Sequence, residues 1–320
     1  VLYKSVKVFS KFLDKIKPDL VVVHGDRIEP LALTIISNLK NIKVAHIEGG
    51  EISEGAIDDA IRNALTKLCH LHFVSTPLAA RRVRAMGEEK WRVTHAGAPS
   101  LDHLNTSTLL DKPSIEASLG IDLTEPPVVV SFHPVTLSRQ SDDEVKVLFD
   151  ALGEFDGPYI FCFPNADTGH QVIIECAQAL CETDKRHRLF TNLGPIPYWS
   201  LLKHASFMIG NSSSGIMETP SLALPCINVG MRQQGRERAK NIIDVAADSR
   251  SIRQAMVQAQ STAFRESLVG MLNPYGDGHA SERIVDVLTT VPLNDALIQK
   301  KALPLAFNES EGLTGFTQLS

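Results

Sequence analysis

What the chain has little of narrows its function before any motif is read. Its 320 residues hold five cysteines, Cys69, Cys162, Cys176, Cys181 and Cys226, scattered and without a CxxC pair. That pattern fits no disulfide framework and predicts a reducing cytoplasm. There is no basic excess: 32 Lys and Arg against 37 Asp and Glu leave a net charge of −5. Nucleic acid and anionic membrane surfaces are therefore not expected as partners. No apolar run reaches spanning length, and no signal peptide is visible. His70/His72 and His95/His103 lack a third ligand at metal-binding spacing, so no metal is expected. Repeats and low-complexity tracts are also missing. What remains is 43% hydrophobic and 22% charged, an ordinary globular composition, and the length favours two domains.

Short β-branched runs alternate with helical patterns along nearly the whole chain. Strands are predicted at 19–23, 42–47, 70–75 and 91–95, with helices from 28 to 39, from Ile57 onward and over 77–86. A second series predicts strands at 128–133, 159–163, 188–191, 207–210 and 226–229. Helices are predicted there at 142–155, 168–181, 198–204, 212–222, 249–264, 279–289 and 294–301. This rhythm means βαβ units and mostly parallel sheets. The stretch from Gly97 to about Pro127 reads as irregular, and the domain boundary is placed there. The expected division is 1–115, 116–304 and a tail over 305–320. An α/β architecture of two Rossmann-like, doubly wound domains facing a cleft follows. A parallel domain ordinarily opens on a strand and a phosphate-binding turn, whereas this chain opens on a helical segment over 4–17. A missing N-terminus is expected.

The stretch Ala45–Arg62 (AHIEGGEISEGAIDDAIR) concentrates carboxylates and glycines just past a strand's carboxyl end. In open α/β sheets that edge is where ligands bind. Glu48, Asp58 and Asp59 stand out, with Asp26 at the end of the preceding strand. Bland alternatives exist for each. Asp58 and Asp59 suit a helix's first turn, Asp58–Arg62 has i,i+4 spacing, and Glu51 and Glu54 read as solvated loop charges. In the second half, Gly210–Gly215 (GNSSSG) follows an apolar strand and opens a helix, so its N–H groups and hydroxyls suit an anion. It matches neither the Walker A pattern nor GxGxxG, and a serine N-cap is its plain alternative. Glu218 fits either a capping role or a pair of vicinal ribose hydroxyls. His133 and Asn165 end successive strands. Arg232 and Arg236 supply forks suited to diphosphate oxygens.

Read together, VHGDR (23–27), HIEGGE (46–51), IDDAIR (57–62), HP (133–134), FPN (163–165), GNSS (210–213), RQQGRE (232–237) and NPYGDG (273–278) resemble one family. The resemblance is to UDP-N-acetylglucosamine 2-epimerases, in particular the hydrolysing branch of sialic acid biosynthesis. HGDR, HIEGGEIS and IDD favour that branch over the reversible one. The family's opening strand and arginine-bearing glycine turn have no counterpart here. The resemblance implies a GT-B-like fold with no nicotinamide cofactor and no essential metal. It implies a UDP-sugar substrate, with UDP on the second domain and sugar against the first. Asp26, Glu48 and Asp58, with Asp59 more weakly, then match the sugar site. Arg27, His133, Asn165, Ser212, Ser213, Glu218 and Arg232, with Arg236 more weakly, match nucleotide and phosphate contacts. Among these His133 joins the acids as a candidate for the chemistry itself. The product expected is N-acetylmannosamine, or its equivalent from a 2,4-diacetamido-trideoxyhexose, and the assembly a homodimer or homotetramer.

Overall fold

The computed structural model describes residues 2–53, 57–134, 141–164 and 169–302. The first half runs α1 (Leu2–Ile16), β1 (Leu20–His24), α2 (Ile28–Leu39), β2 (Lys43–Ile47), α3 (Ile57–Leu68), β3 (Leu71–Val74), α4 (Pro77–Ala85) and β4 (Val93–His95). Then follow α5 (Pro99–Thr106), α6 (Lys112–Leu119), β5 (Val128–Ser131), α7 (Ser141–Gly153), β6 (Tyr159–Cys162), α8 (His170–Thr183) and β7 (Arg188–Phe190). The chain continues with α9 (Pro195–His204), β8 (Phe207–Gly210), α10 (Ser213–Met217), β9 (Cys226–Val229), β10 (Ile242–Val245) and α11 (Ser249–Gln260). It closes with α12 (Thr262–Ser267), α13 (Ala280–Thr290) and α14 (Asp295–Ile298).

Among the described residues all strand pairs are parallel and form two sheets. One has the order β1-β2-β3-β4; the other has β10-β9-β8-β5-β6-β7. Central strands such as β5 (VVVS) and β9 (CINV) are buried along their length, as helices on both faces require. The second sheet changes direction between β5 and β8, the switch point at which open α/β sheets leave a crevice.

Several elements differ from the sequence reading, each for a local reason. The "irregular" stretch contains α5 and α6. Asp111, read as a turn residue, caps α6 by accepting from Ser114 N at 3.0 Å, and Gly120 ends it in the left-handed region. The predicted helix 212–222 breaks after Met217 into a 3₁₀ turn over Thr219–Leu222, because Pro220 cannot donate. Residues 90–92 are a 3₁₀ turn rather than the start of a strand. Ser261 splits the predicted helix 249–264 by capping α12 through Phe264 N. The edge strand β10 was not anticipated.

Packing crosses the two halves. Leu101, Leu104 and Ile115 join the core under the second sheet with Val129, Ile160 and Trp199. Ala280, Ile284 and Leu297 return to cover Ala45, Leu71 and Phe73 of the first. A cut at 115/116 would run through α6. The buried Arg92 guanidinium holds the returning segment, donating to Ala296 O, Leu297 O and Gln299 O at 3.0, 2.6 and 3.1 Å. The two crossings lie side by side, with Ala98 N donating to Tyr275 O at 2.7 Å.

Candidate active site

Because β1 and β2 are parallel neighbours in register, their following loops leave from one edge. Asp26 is in the first loop and Glu48 starts the second. Glu48 adopts a left-handed φ of 68°, unusual for a residue with a side chain, and its N–H is held by Phe73 O at 2.8 Å. Its carboxylate meets His24 Nε2 at 3.0 Å. Burial works against the charged carboxylate, but the His24 hydrogen bond and neighbouring cations win and lower its pKa. The same contact raises that of His24. Behind them Arg62, only 2% exposed, gathers the site. It pairs with Asp26 and Asp59 and donates to Ser53 Oγ and Glu51 O. Asp59 Oδ1 also accepts from Ser53 N at 2.9 Å, so this acid holds the loop in place.

Across from this edge lies the switch point of the second sheet. His133 follows β5 and Asn211 follows β8. The Asn211 amide clasps the His133 backbone, accepting from its N–H at 2.7 Å and donating to its carbonyl at 2.9 Å. Gly210 makes this approach possible: a Cβ there would lie 2.0 Å from Ser131 O. Asn211 O accepts from Arg232 at 2.9 Å and Gln233 at 2.7 Å, which moors the loop after β9. Burial and then Arg232 bring the His133 pKa down to about 4, so the imidazole is neutral at neutral pH. Ser212 caps α10 through Ser214 N. Glu218 accepts from Ser214 Oγ at 2.7 Å and Trp199 Nε1 at 2.9 Å, and burial raises its pKa. Glu218, Ser214 and Trp199 edge a cavity of about 370 Å³ that also takes in Phe163, Asn192 and Tyr198.

The two rims touch. Arg236 Nε donates to Ile52 O at 3.2 Å, and Arg82 of α4 donates to Gly50 O at 3.3 Å and Gly235 O at 2.8 Å. Leu78 N reaches Glu237 at 3.3 Å. Gly235 fits only as glycine, since a Cβ would come within 2.8 Å of the Ile52 side chain. In this seam the Glu51 carboxyl is buried, and its Oε1 has no hydrogen-bond partner among the described residues.

The profile of the UDP-N-acetylglucosamine 2-epimerase family matches residues 1–289. The chain belongs to this family. A GDP/UDP-N,N'-diacetylbacillosamine 2-epimerase (hydrolyzing) of Campylobacter jejuni is 38% identical over 266 residues, covering 82% of this chain and 69% of that protein. A UDP-N-acetylglucosamine 2-epimerase of Neisseria meningitidis is 33% identical over 306 residues, covering 95% and 80%. The crystal structure of the UDP-GlcNAc 2-epimerase from Neisseria meningitidis bound to UDP-GlcNAc superposes with a TM-score of 0.78 at 19% identity. It covers 91% of this chain and 81% of that one, a likeness of fold. The GT-B-like pair of Rossmann-like units is thus the fold of the 2-epimerase family.

In this member of the family, Asp26 and Asp59 come together on Arg62, while Glu48, at the same edge, pairs with His24. Asp58 is half-buried in the first turn of α3, one residue before Asp59. Arg62 pairs with Asp26 across the loops and, at i,i+3 spacing along α3, with Asp59. Arg27 is exposed at the head of α2, Ser213 opens α10, and Asn165 lies outside the described residues, as does Glu54. Glu51 is a correction: read as a solvated charge, it is 6% exposed. Sequence reasoning also passed over His24, Arg82, Trp199 and Asn211. HGDR and GNSS were signals for two of these; nothing in the sequence around Arg82 pointed to it.

Proposed function

We propose that the protein is a hydrolysing epimerase that turns UDP-N-acetylglucosamine into N-acetylmannosamine and UDP. One observation carries this reading: carboxylates in contrasting environments crowd one edge of the first sheet, opposite the arginine loop of the second. The C2 proton of the substrate is barely acidic until UDP begins to leave and C1 takes on oxocarbenium character. Asp26, Glu48, Asp58 and Asp59 would stabilise that cation. Glu48, kept ionised by His24, suits removal of the C2 proton, which gives a 2-acetamidoglucal. Arg27, Asn165, Ser212, Ser213, Arg232 and Arg236 would receive the diphosphate. Neutral His133 would add a hydrogen bond rather than a charge, and Glu218 would take the ribose hydroxyls at the cavity. Water addition at C1 and proton return at C2 complete the reaction.

The 38% identity to the Campylobacter protein favours a second reading, the same chemistry on a UDP-2,4-diacetamido-trideoxyhexose. Both UDP-sugars, offered separately in deuterated, heavy-oxygen water and followed by NMR, test the two. The expected products are UDP and a free 2-epimeric sugar with deuterium at C2 and heavy oxygen at C1. Deuterium at C2 of a sugar still joined to UDP would replace the hydrolysing reading with a reversible epimerase.

A further inference from the structure

Glu51 is absent from the roles assigned above, yet among the described residues no other carboxyl of the site is so little exposed to solvent. It sits where the loop after β2 meets the loop after β9. The groups facing it come from every element around that seam: Arg236 from the loop after β9, Arg82 from α4, Arg62 from α3, Glu48 from the end of β2 and Tyr275 from the C-terminal crossing. Burial raises its pKa, and Arg236 is the leading influence in the other direction. No cation pairs with it among the described residues, and its Oε1 is without a partner. A buried polar atom left unpaired in a stitched seam calls for a state in which it is paired. Arg236 is the group able to supply that partner. Its Nε is anchored on Ile52 O, one residue from Glu51, while its Nη1 rests at 3.4 Å on the Met217 sulfur, a weak acceptor.

We propose that Glu51 is a positioning residue that holds the Arg236 guanidinium, swung off Met217, in the pose that receives the substrate's diphosphate. The carboxylate takes one edge of the fork while the other stays open to phosphate oxygens. This role rests on the nucleotide-sugar reading given above, and it ties the phosphate side of the cleft to the loop carrying Glu48.

The test is steady-state kinetics on UDP-N-acetylglucosamine, with UDP calorimetry, for the unmodified protein and Glu51→Gln from pH 5 to 8. Glu51→Gln keeps the shape but not the charge. It is expected to raise KM and the UDP Kd about tenfold at neutral pH, with kcat within about twofold. In the unmodified protein KM is expected to rise further as pH falls and Glu51 takes up its proton. In Glu51→Gln that acid-side rise disappears, and ionisation of UDP itself cancels in the comparison. Glu51→Asp should recover part of the affinity. Wild-type KM and pH profile in Glu51→Gln overturn the proposal. Should the variant fail to fold, Arg236→Lys is measured in its place: an acid-side rise as steep as in the unmodified protein overturns the proposal. Failure of the unmodified protein to bind UDP overturns the functional reading, and this role with it.

Discussion

Arg62 draws Asp26, Asp59, Ser53 and the Glu51 carbonyl to one buried guanidinium. Removing a buried partner leaves the others desolvated and uncompensated, which costs about 3–5 kcal/mol. Arg62→Met is therefore expected to lower the urea-unfolding free energy by about 3 kcal/mol and to abolish turnover; an unchanged midpoint would mean the acids are held by something else. The His24–Glu48 pair has its own pH signature. A raised histidine contributes stability that is lost as pH climbs past its folded value. A lowered carboxylate contributes stability that is lost as pH falls through its folded value. The pair is thus fully effective between the ordinary values, 4.5 and 6.5. The stability difference between the unmodified protein and His24→Gln should peak in that window and fade above it; a flat difference in urea titrations rules the pairing out. The strand-end positions of Asp26 and Glu48 were legible because each trails an apolar run. Glu51 was not, because a charge beside two glycines looks solvated. What buries it arrives with Arg236, whose contact with Ile52 spans 184 residues of chain.

Elements were legible where their periodicity is long and failed where their punctuation was mistaken for a loop. The strands β1, β2, β5, β8 and β9 announce themselves as β-branched or apolar runs. The helix α6 hides because Asp111, Pro113 and Gly120 look like turn residues, yet they are its cap, first turn and stop. Gly210 shows how one residue sets an element's end. With φ at 144° and no room for a methyl group beside Ser131, Gly210→Ala forces β8 and β5 apart. It is expected to cost about 3 kcal/mol or more and to release the Asn211–His133 clasp, read as lost UDP binding in calorimetry. The seam is tight as well. Gly235→Ala strains a left-handed backbone and pushes the loop after β9 off Ile52, and a several-fold higher KM with a smaller loss of stability than in Gly210→Ala is the outcome to look for in parallel kinetics and melting. At the far end, Arg92→Met strands the carbonyls of the returning segment. About 3 kcal/mol should be lost, while Leu272→Ala, a change at an exposed side chain, serves as the control.

At the scale of the molecule, the two-sheet architecture followed from the alternation of elements, but its interlacing did not. Sequence order suggests that the last helices belong to the second sheet, because nothing local says which apolar face a helix will meet. Acid should dismantle the whole in a predictable window. Burial lowers His46, His70 and His133 to about 4 each, so the unfolded chain binds their protons first as pH drops below 6.5. The contribution of these three histidines should be complete above that value and fall steadily toward pH 4, seen as a shrinking urea midpoint. The return of α13 and α14 to the first sheet also has a meaning for synthesis. A ribosome makes β1 to β4 early, but Ala45, Leu71 and Phe73 gain their cover only when Ala280, Ile284 and Leu297 emerge. The half made first must therefore close last, and a nascent chain stalled short of residue 280 carries a bare sheet face, the kind of surface that chaperones hold.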